Sequence, residues 1–255
     1  MHFSSLTVIF RPFQSRTETR AANRRSKPTS ARWYKEKQSF LSPRQRRLIR
    51  QLFPKYGQVL RFGEVPLPVP PSSRAILEIG FGNGYSLLHH LKTDPSCYVI
   101  GCELLQAGIA QVLEGLVNNS ISPDRVKIAR CDVALLLQRH LVDSCLDEAY
   151  ILFPDPWPSP SDHCRRVVRA DLVELIAAKL KPGGKLRVAT DVADYAEWVW
   201  SVMGAQEVGV WDRSSFRRVE SAPLEGPTYR ATTRYEERAL TLGHRVWDFE
   251  FAKCA

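Results

Sequence analysis

The sequence predicts an α/β fold: a doubly wound, mostly parallel sheet with helices on both faces. Three observations predict it. From residue 75 onward, short apolar runs of strand type alternate with helical segments, the pattern of parallel strands joined by crossover helices. The first such run ends in Gly80-Phe81-Gly82-Asn83-Gly84, a glycine turn from strand into helix. A later run ends in Pro154-Asp155-Pro156-Trp157, where flanking prolines bar continuation of helix or ladder. In an open α/β sheet, both strand ends fall on the edge where ligands bind.

Each element follows in chain order. Residues 1–37 carry Arg11, Arg16, Arg20, Arg24, Arg25, Lys27 and Arg32 against Glu18 and Glu36. This Ser-, Thr- and Arg-rich composition suits a disordered basic arm. A transit peptide, an RNA-contacting tail and an upstream start codon fit it equally. A secretory signal does not fit: the apolar stretch over 6–10 is too short and no basic segment precedes it. Ser42-Pro43-Arg44-Gln45 reads as a helix start, with Ser as N-cap and Pro in first position. That helix carries Leu48, Ile49 and Leu52 on one face and Arg46, Arg47 and Arg50 elsewhere, and Pro54 and Gly57 are expected to stop it. Pro66, Pro68, Pro70 and Pro71 mark a linker. The chain therefore divides into an arm (1–37), a basic helix with linker (38–74) and an α/β domain (75–255). In the domain, strands are expected over 75–79, 98–102, 126–129, 146–153 and 185–189. Helices are expected over 85–91, 104–116, 133–140, 167–180 and 192–203, with a Pro-Gly-Gly turn at 182–184. Two weaker strand candidates lie at 216–219 and 246–251.

Composition narrows the function classes. At 255 residues and 44% hydrophobic content, the chain can bury a sizeable core. No run approaches the roughly 20 apolar residues of a membrane helix, so no membrane partner is expected. The six cysteines form no Cys-x-x-Cys pair and read as buried free thiols in a reducing compartment; no metal is expected. A cytoplasmic location follows, or an organelle if residues 1–37 are a transit peptide. Charge is lopsided. Residues 1–74 hold 16 Lys/Arg and 3 Asp/Glu, whereas the remainder holds 20 and 24. A basic arm on a mildly acidic domain suits a polyanionic partner.

The two motif ends suggest chemistry. Gly80 and Gly82 let a ligand approach the main chain. Glu103 ends the next strand, where an acidic residue grips a ribose diol in dinucleotide-binding domains. Asp132 follows the third strand, placed to meet an adenine amino group, and Glu78 lies within reach of a cofactor ammonium. A dinucleotide would want its third glycine one residue later than Gly84, and these carboxylates would repel a pyrophosphate. They suit a sulfonium cofactor with an amino-acid tail, so S-adenosylmethionine is favoured over NAD. At the other end, Trp157 offers a face for base stacking. Asp191 in Ala189-Thr190-Asp191 opens toward the same edge, or caps the following helix. Arg165, Arg166 and Arg169 suit phosphate contacts or a solvated helix face. Thr233, Arg234, Tyr235 and Glu236 suit a base edge, or a helix start in which Thr233 and Glu236 form a capping box.

Together these residues resemble the tRNA (guanine-N7-)-methyltransferase family in its single-chain bacterial form, from about residue 42 to 251. The resemblance rests on Glu-Ile-Gly-Phe-Gly-Asn-Gly (78–84), Phe-Pro-Asp-Pro-Trp-Pro (153–158), Arg165-Arg166, Ala-Thr-Asp (189–191), Thr-Arg-Tyr-Glu (233–236) and Gly-His-x-x-Trp-Asp (243–248). It implies a Rossmann-like class I S-adenosylmethionine-dependent methyltransferase fold, acting on the variable-loop guanosine of tRNA; a monomer or a homodimer is expected, and the sequence does not separate the two. By resemblance, Glu78, Glu103, Asp132 and Asp155 contact the cofactor, and Asp191 with residues 233–236 holds the guanosine. Ser159 stands where the family usually has a functional Lys, within Ser159-Pro160-Ser161-Asp162-His163-Cys164. Substrate affinity or loop conformation is expected to differ there, and the N-terminal arm is one source of replacement charge. Guanine N7 has a lone pair and no proton, so no strong general base is required. Asp155 and Asp191 are the candidates for stabilising the cationic product ring, with Glu236 reading the N–H edge of the base. Two alternatives remain open at this point: an adenine or cytosine amino-methyltransferase, and a noncatalytic RNA-binding relative.

Overall fold

The computed structural model describes residues 41–61, 66–204, 216–218 and 230–254; the arm over 1–37 lies outside them. Eight strands form one sheet in the order β1-β4-β3-β2-β5-β6-β8-β7. They are β1 (Gly57–Val59), β2 (Arg74–Ile79), β3 (Cys97–Cys102), β4 (Val126–Arg130), β5 (Leu146–Leu152), β6 (Leu180–Thr190), β7 (Phe216–Arg218) and β8 (Trp247–Lys253). The helices are α1 (Pro43–Tyr56), α2 (Tyr85–Thr93), α3 (Gln106–Asn118), α4 (Val133–Leu135), α5 (Ala170–Lys179), α6 (Ala193–Gly204) and α7 (Arg234–Thr241). The first six strands are parallel, and β8 and β7 add antiparallel pairings. No described helix is long and apolar enough to cross a membrane.

Both faces of the sheet are buried. On one, Ile76, Val99, Val126 and Ile128 pack with Leu87 and Leu91 of α2 and Ile109, Val112, Leu113 and Leu116 of α3. On the other, Leu77, Ile100, Ala149 and Val188 pack with Leu172, Val173 and Ile176 of α5 and Tyr195 and Val199 of α6. This double coverage explains why β3 reads as an unbroken apolar run and why β2 is buried from Ala75 to Ile79 with Glu78 as its one interior charge, instead of alternating. Each fully buried Leu or Ile contributes about 1.5–3 kcal/mol.

Several expectations are corrected. Helix α1 starts at the expected Ser42 cap, where the Ser42 hydroxyl accepts from Gln45 N and Gln45 Oε1 accepts from Ser42 N. It runs through Pro54, however, because the last turn buries Tyr56, whose hydroxyl donates to the Ile121 carbonyl at 3.0 Å. The three residues after it add β1 to the sheet beside β4, a strand too short to read from alternation. The Pro-Gly-Gly stretch is a bulge within β6 and not a turn before it: Leu146 already pairs with Leu180, and the register resumes at Glu148 and Lys185. The helix expected over 133–140 is one turn of α4 followed by a π-turn over Leu136–His140. Helix α5 starts at Ala170, three residues later than expected, because Val168 is tied down by α6: its N–H donates to the Tyr195 hydroxyl and its carbonyl accepts from Trp198 Nε1.

Candidate functional site

Strand register brings the predicted carboxylates to one edge. Ile79 pairs with Cys102, Cys102 with Ala129, Ile79 with Ile151, and Leu152 with Ala189. The chain beyond each pairing therefore leaves the same rim, carrying Gly80, Glu103, Asp132, Asp155 and Asp191. At about 4.8 Å per strand, β4 to β6 span roughly 19 Å. Backbone bonds continue past the strands: Gly80 N donates to the Cys102 carbonyl at 2.8 Å, Glu103 N to Ala129 at 3.1 Å, and Phe153 N to Ala189 at 2.8 Å.

The glycine turn is shaped by three left-handed residues, with φ of 68° at Gly80, 54° at Gly82 and 75° at Gly84. A Cβ on Gly80 or Gly82 would meet no atom within 4 Å, so that side of the turn is open. A Cβ on Gly84 would meet Val112 Cγ2 at 2.0 Å, and one on Gly108 would meet the Gly82 carbonyl oxygen at 2.1 Å. Helix α3 is thus pressed against the turn. Glu103 ties the two together by accepting from Gly82 N at 3.1 Å and from Leu104 N and Leu105 N at 2.6 and 2.9 Å. Asp132 caps α4 by accepting from Ala134 N at 2.8 Å, and burial raises its pKa despite that bond. Glu78 is buried on β2 with Oε2 unpartnered. Burial pushes its pKa up to about 8, against a smaller opposing effect from a Ser86 hydrogen bond. An acid left short of a partner beneath an open glycine turn fits the ammonium of an amino-acid tail. Glu103 and Asp132 are acceptors of the kind a ribose and an adenine amino group need. The donor set therefore suits S-adenosylmethionine.

On the other side, Asp155 is exposed, between Phe153 and Trp157, which both hold positive φ (49° and 45°). Arg165 lies over the Trp157 ring at 4.8 Å, so a cation of this chain already stacks on the ring expected to take a base. Arg166, read from the sequence as a phosphate contact or part of a solvated helix face, is neither exposed nor solvated here: its side chain is buried. Ser159 is exposed, its hydroxyl 2.9 Å from that of Ser161. Asp191 is half-buried. Helix α6 starts at Ala193, and the Val192 carbonyl accepts from Ala196 N at 3.0 Å, so the cap position falls on Val192 and not on Asp191.

Residues 233–236 are brought to this loop by Tyr235, whose exposed ring stacks on Phe153 at 6.4 Å. Arg234 is exposed, while Thr233 and Glu236 are buried as the capping box of α7. Glu236 also pairs with Arg230, which holds Asp248 at 2.9 Å. Glu236, expected at the base edge, is thus engaged inside the protein. Sequence reasoning missed Arg230 and the inward turn of Arg166. The one signal for the latter was the apolar Val167-Val168 directly after it.

A family model described as a methyltransferase matches residues 72–249. The chain is 34% identical over 214 residues to a tRNA (guanine-N(7)-)-methyltransferase of Xylella fastidiosa (strain 9a5c), covering 83% of this chain and 85% of that one. It is 36% identical over 216 residues to one so named from Nitrosococcus oceani, covering 84% and 86%. Among solved structures it is similar to the 16S rRNA methyltransferase KamB, with a TM-score of 0.50 and 13% identity over 73% of this chain and 91% of that one. That likeness concerns the fold alone, the Rossmann-like class I methyltransferase fold.

Proposed function

This chain belongs to the tRNA (guanine-N7-)-methyltransferase family, and from that premise we propose that it transfers a methyl group from S-adenosylmethionine to N7 of the variable-loop guanosine of tRNA. The observation that carries the reading is the single rim on which Gly80, Glu103, Asp132, Asp155 and Asp191 emerge from neighbouring parallel strands. Glu78 would pair with the ammonium of the cofactor, Gly80 and Gly82 would admit it to the main chain, and Glu103 and Asp132 would accept from its ribose and adenine. When bound, S-adenosylmethionine supplies an electrophilic methyl on its sulfonium. The remaining work is positional, because guanine N7 has no proton to remove. Asp155 and Asp191 would orient the purine and stabilise the positive charge that develops on its ring. Tyr235, stacked on Phe153, and the exposed Arg234 next to it in sequence would hold the nucleotide from the side of α7.

Nucleoside mass spectrometry of unmodified tRNA treated with the full chain and S-adenosylmethionine should show 7-methylguanosine, and fragment mapping should place it in the variable loop. A methylated adenine or cytosine instead, or no methyl at all, would overturn the reading. Asp155→Asn should lower turnover by roughly a hundredfold or more, the scale of one lost electrostatic group, with unchanged circular dichroism. Wild-type turnover would take Asp155 out of the mechanism.

A further inference from the structure

The least expected side chain at the rim is Arg166. It is the largest fully buried side chain of the described residues, although it follows an exposed 3-10 turn. Nε donates to the Pro156 carbonyl at 2.9 Å and Nη2 to the Trp157 carbonyl at 3.4 Å. Nη2 also donates to the Asp194 carboxylate. The guanidinium lies over the Tyr195 ring at 5.2 Å and the Trp198 ring at 5.1 Å. Asp194, Tyr195 and Trp198 all belong to α6, which starts two residues after Asp191. One cation therefore joins the loop that carries Asp155 to the helix that leaves the Asp191 turn.

The loop needs such a bracket. Phe153 and Trp157 both occupy the left-handed region, which a side chain with a Cβ avoids, at a cost of about 1–3 kcal/mol each. Three of the five residues over 154–158 are proline, so the segment offers few N–H groups for anchoring. Its carbonyls are the remaining handle, and a planar guanidinium reaches two successive ones while keeping its carboxylate. A lysine ammonium cannot reproduce that fork. The side chain is fully buried, so no tRNA phosphate touches it in this structure, and Nη1 is enclosed without a hydrogen-bond partner.

We propose that Arg166 is a positioning residue: it fixes Asp155 relative to the Asp191 turn and acts on methyl transfer through that loop, without touching tRNA. The proposal rests on the methyl-transfer reading of the rim. The test compares Arg166→Lys, Asp194→Asn, Asp155→Asn and the double variant Arg166→Lys/Asp155→Asn in the full chain, with unmodified tRNA. Arg166→Lys should lower kcat by roughly ten- to a hundredfold, the effect of a small misplacement, while KM for tRNA and calorimetric affinity for S-adenosylmethionine stay within about threefold. The double variant should be no slower than Asp155→Asn alone, since both changes act through one loop. A raised KM for tRNA at unchanged kcat, or multiplicative losses in the double variant, overturns the proposal. Should Arg166→Lys lose its circular dichroism signal, Asp194→Asn decides. It keeps the buried cation and changes only its half-exposed partner, so lower kcat at unchanged KM supports the bracket and wild-type kcat refutes it. Normal turnover in Asp155→Asn sinks the reading of the rim itself. Normal turnover in Arg166→Lys beside a crippled Asp155→Asn sinks only the bracket.

Discussion

At the scale of the residue, Glu78 sets folding against binding. Its carboxyl is buried beside the glycine turn with one oxygen unpartnered, and burial lifts its pKa from 4.5 to about 8. Between those values the folded protein keeps a proton that the unfolded chain has released. The associated stability is therefore complete below about pH 4.5 and is lost as pH rises through about 8. Glu78→Gln preserves shape and removes the titration. Its melting temperature relative to wild type should rise between pH 5 and pH 8.5, read by calorimetric scans at both values. The same change removes the acid that would give up its proton and pair with a cofactor ammonium. Affinity for S-adenosylmethionine should fall by about ten- to a hundredfold, the worth of one charged hydrogen bond. Parallel pH profiles in the two proteins would show that Glu78 is not the group responsible, and undiminished affinity would free it from the cofactor.

At the scale of the element, the contact that sets the cofactor side is the packing of α3 against the glycine turn. Replacing Gly with Ala inside a helix ordinarily gains about 1 kcal/mol. At Gly108 the new Cβ would lie 2.1 Å from the Gly82 carbonyl oxygen, a backbone atom that no rotamer change can move. Overpacking of this kind costs about 1–3 kcal/mol, so Gly108→Ala should lower stability and, by displacing Gly82, weaken S-adenosylmethionine binding. Urea melts and calorimetry check both, and a variant as stable as wild type would show that the turn yields. The same packing explains what was legible beforehand. The succession along the chain from β2 to β6 with its intervening helices could be read because short, mostly buried runs alternate with segments that carry one apolar stripe. Gly80-Phe81-Gly82 and Pro154-Asp155-Pro156-Trp157 could be read because glycine and proline act locally. Strand β1, the passage of α1 through Pro54 and the β6 bulge depend on partners distant in sequence, such as β4, Ile121 and Leu146. Arg166 carried the composition of a surface residue, and what turns it inward is distant in sequence: Asp194 and the Tyr195 and Trp198 rings of α6, with the carbonyls of Pro156 and Trp157. Glu236 was ambiguous for a local reason: a capping box and a base reader share one spelling, and Arg230 selects the former in this structure.

At the scale of the whole molecule, charge is divided between the reacting rim and the segment before it. Residues 75–255 hold more acidic than basic side chains, 24 against 20, and their rim gathers carboxylates that suit a cationic cofactor but repel phosphate. An RNA substrate needs compensation elsewhere, the more so because Ser159 supplies no charge in its loop. Two sources lie before residue 75. Residues 1–37 hold nine Lys/Arg against two Asp/Glu, and α1 carries five basic side chains and no acidic one, with Arg46, Arg47 and Arg50 exposed. Contacts to phosphate release counterions, so the logarithm of affinity falls linearly with the logarithm of salt concentration, with a slope proportional to the number of phosphates neutralised. Deleting residues 1–37 should therefore make that slope shallower and raise KM for tRNA. The deletion should leave kcat near its full-chain value, because the rim carboxylates all lie at or after Glu78. Filter binding over a salt series, with initial rates at saturating tRNA, measures all three. An unchanged slope would exclude the arm and assign the compensation to α1, where exchanging Arg46, Arg47 and Arg50 for Gln should then flatten it. A fall in kcat at saturating tRNA would instead mean that the arm helps to order the rim, and that charge and chemistry are not separable in this chain.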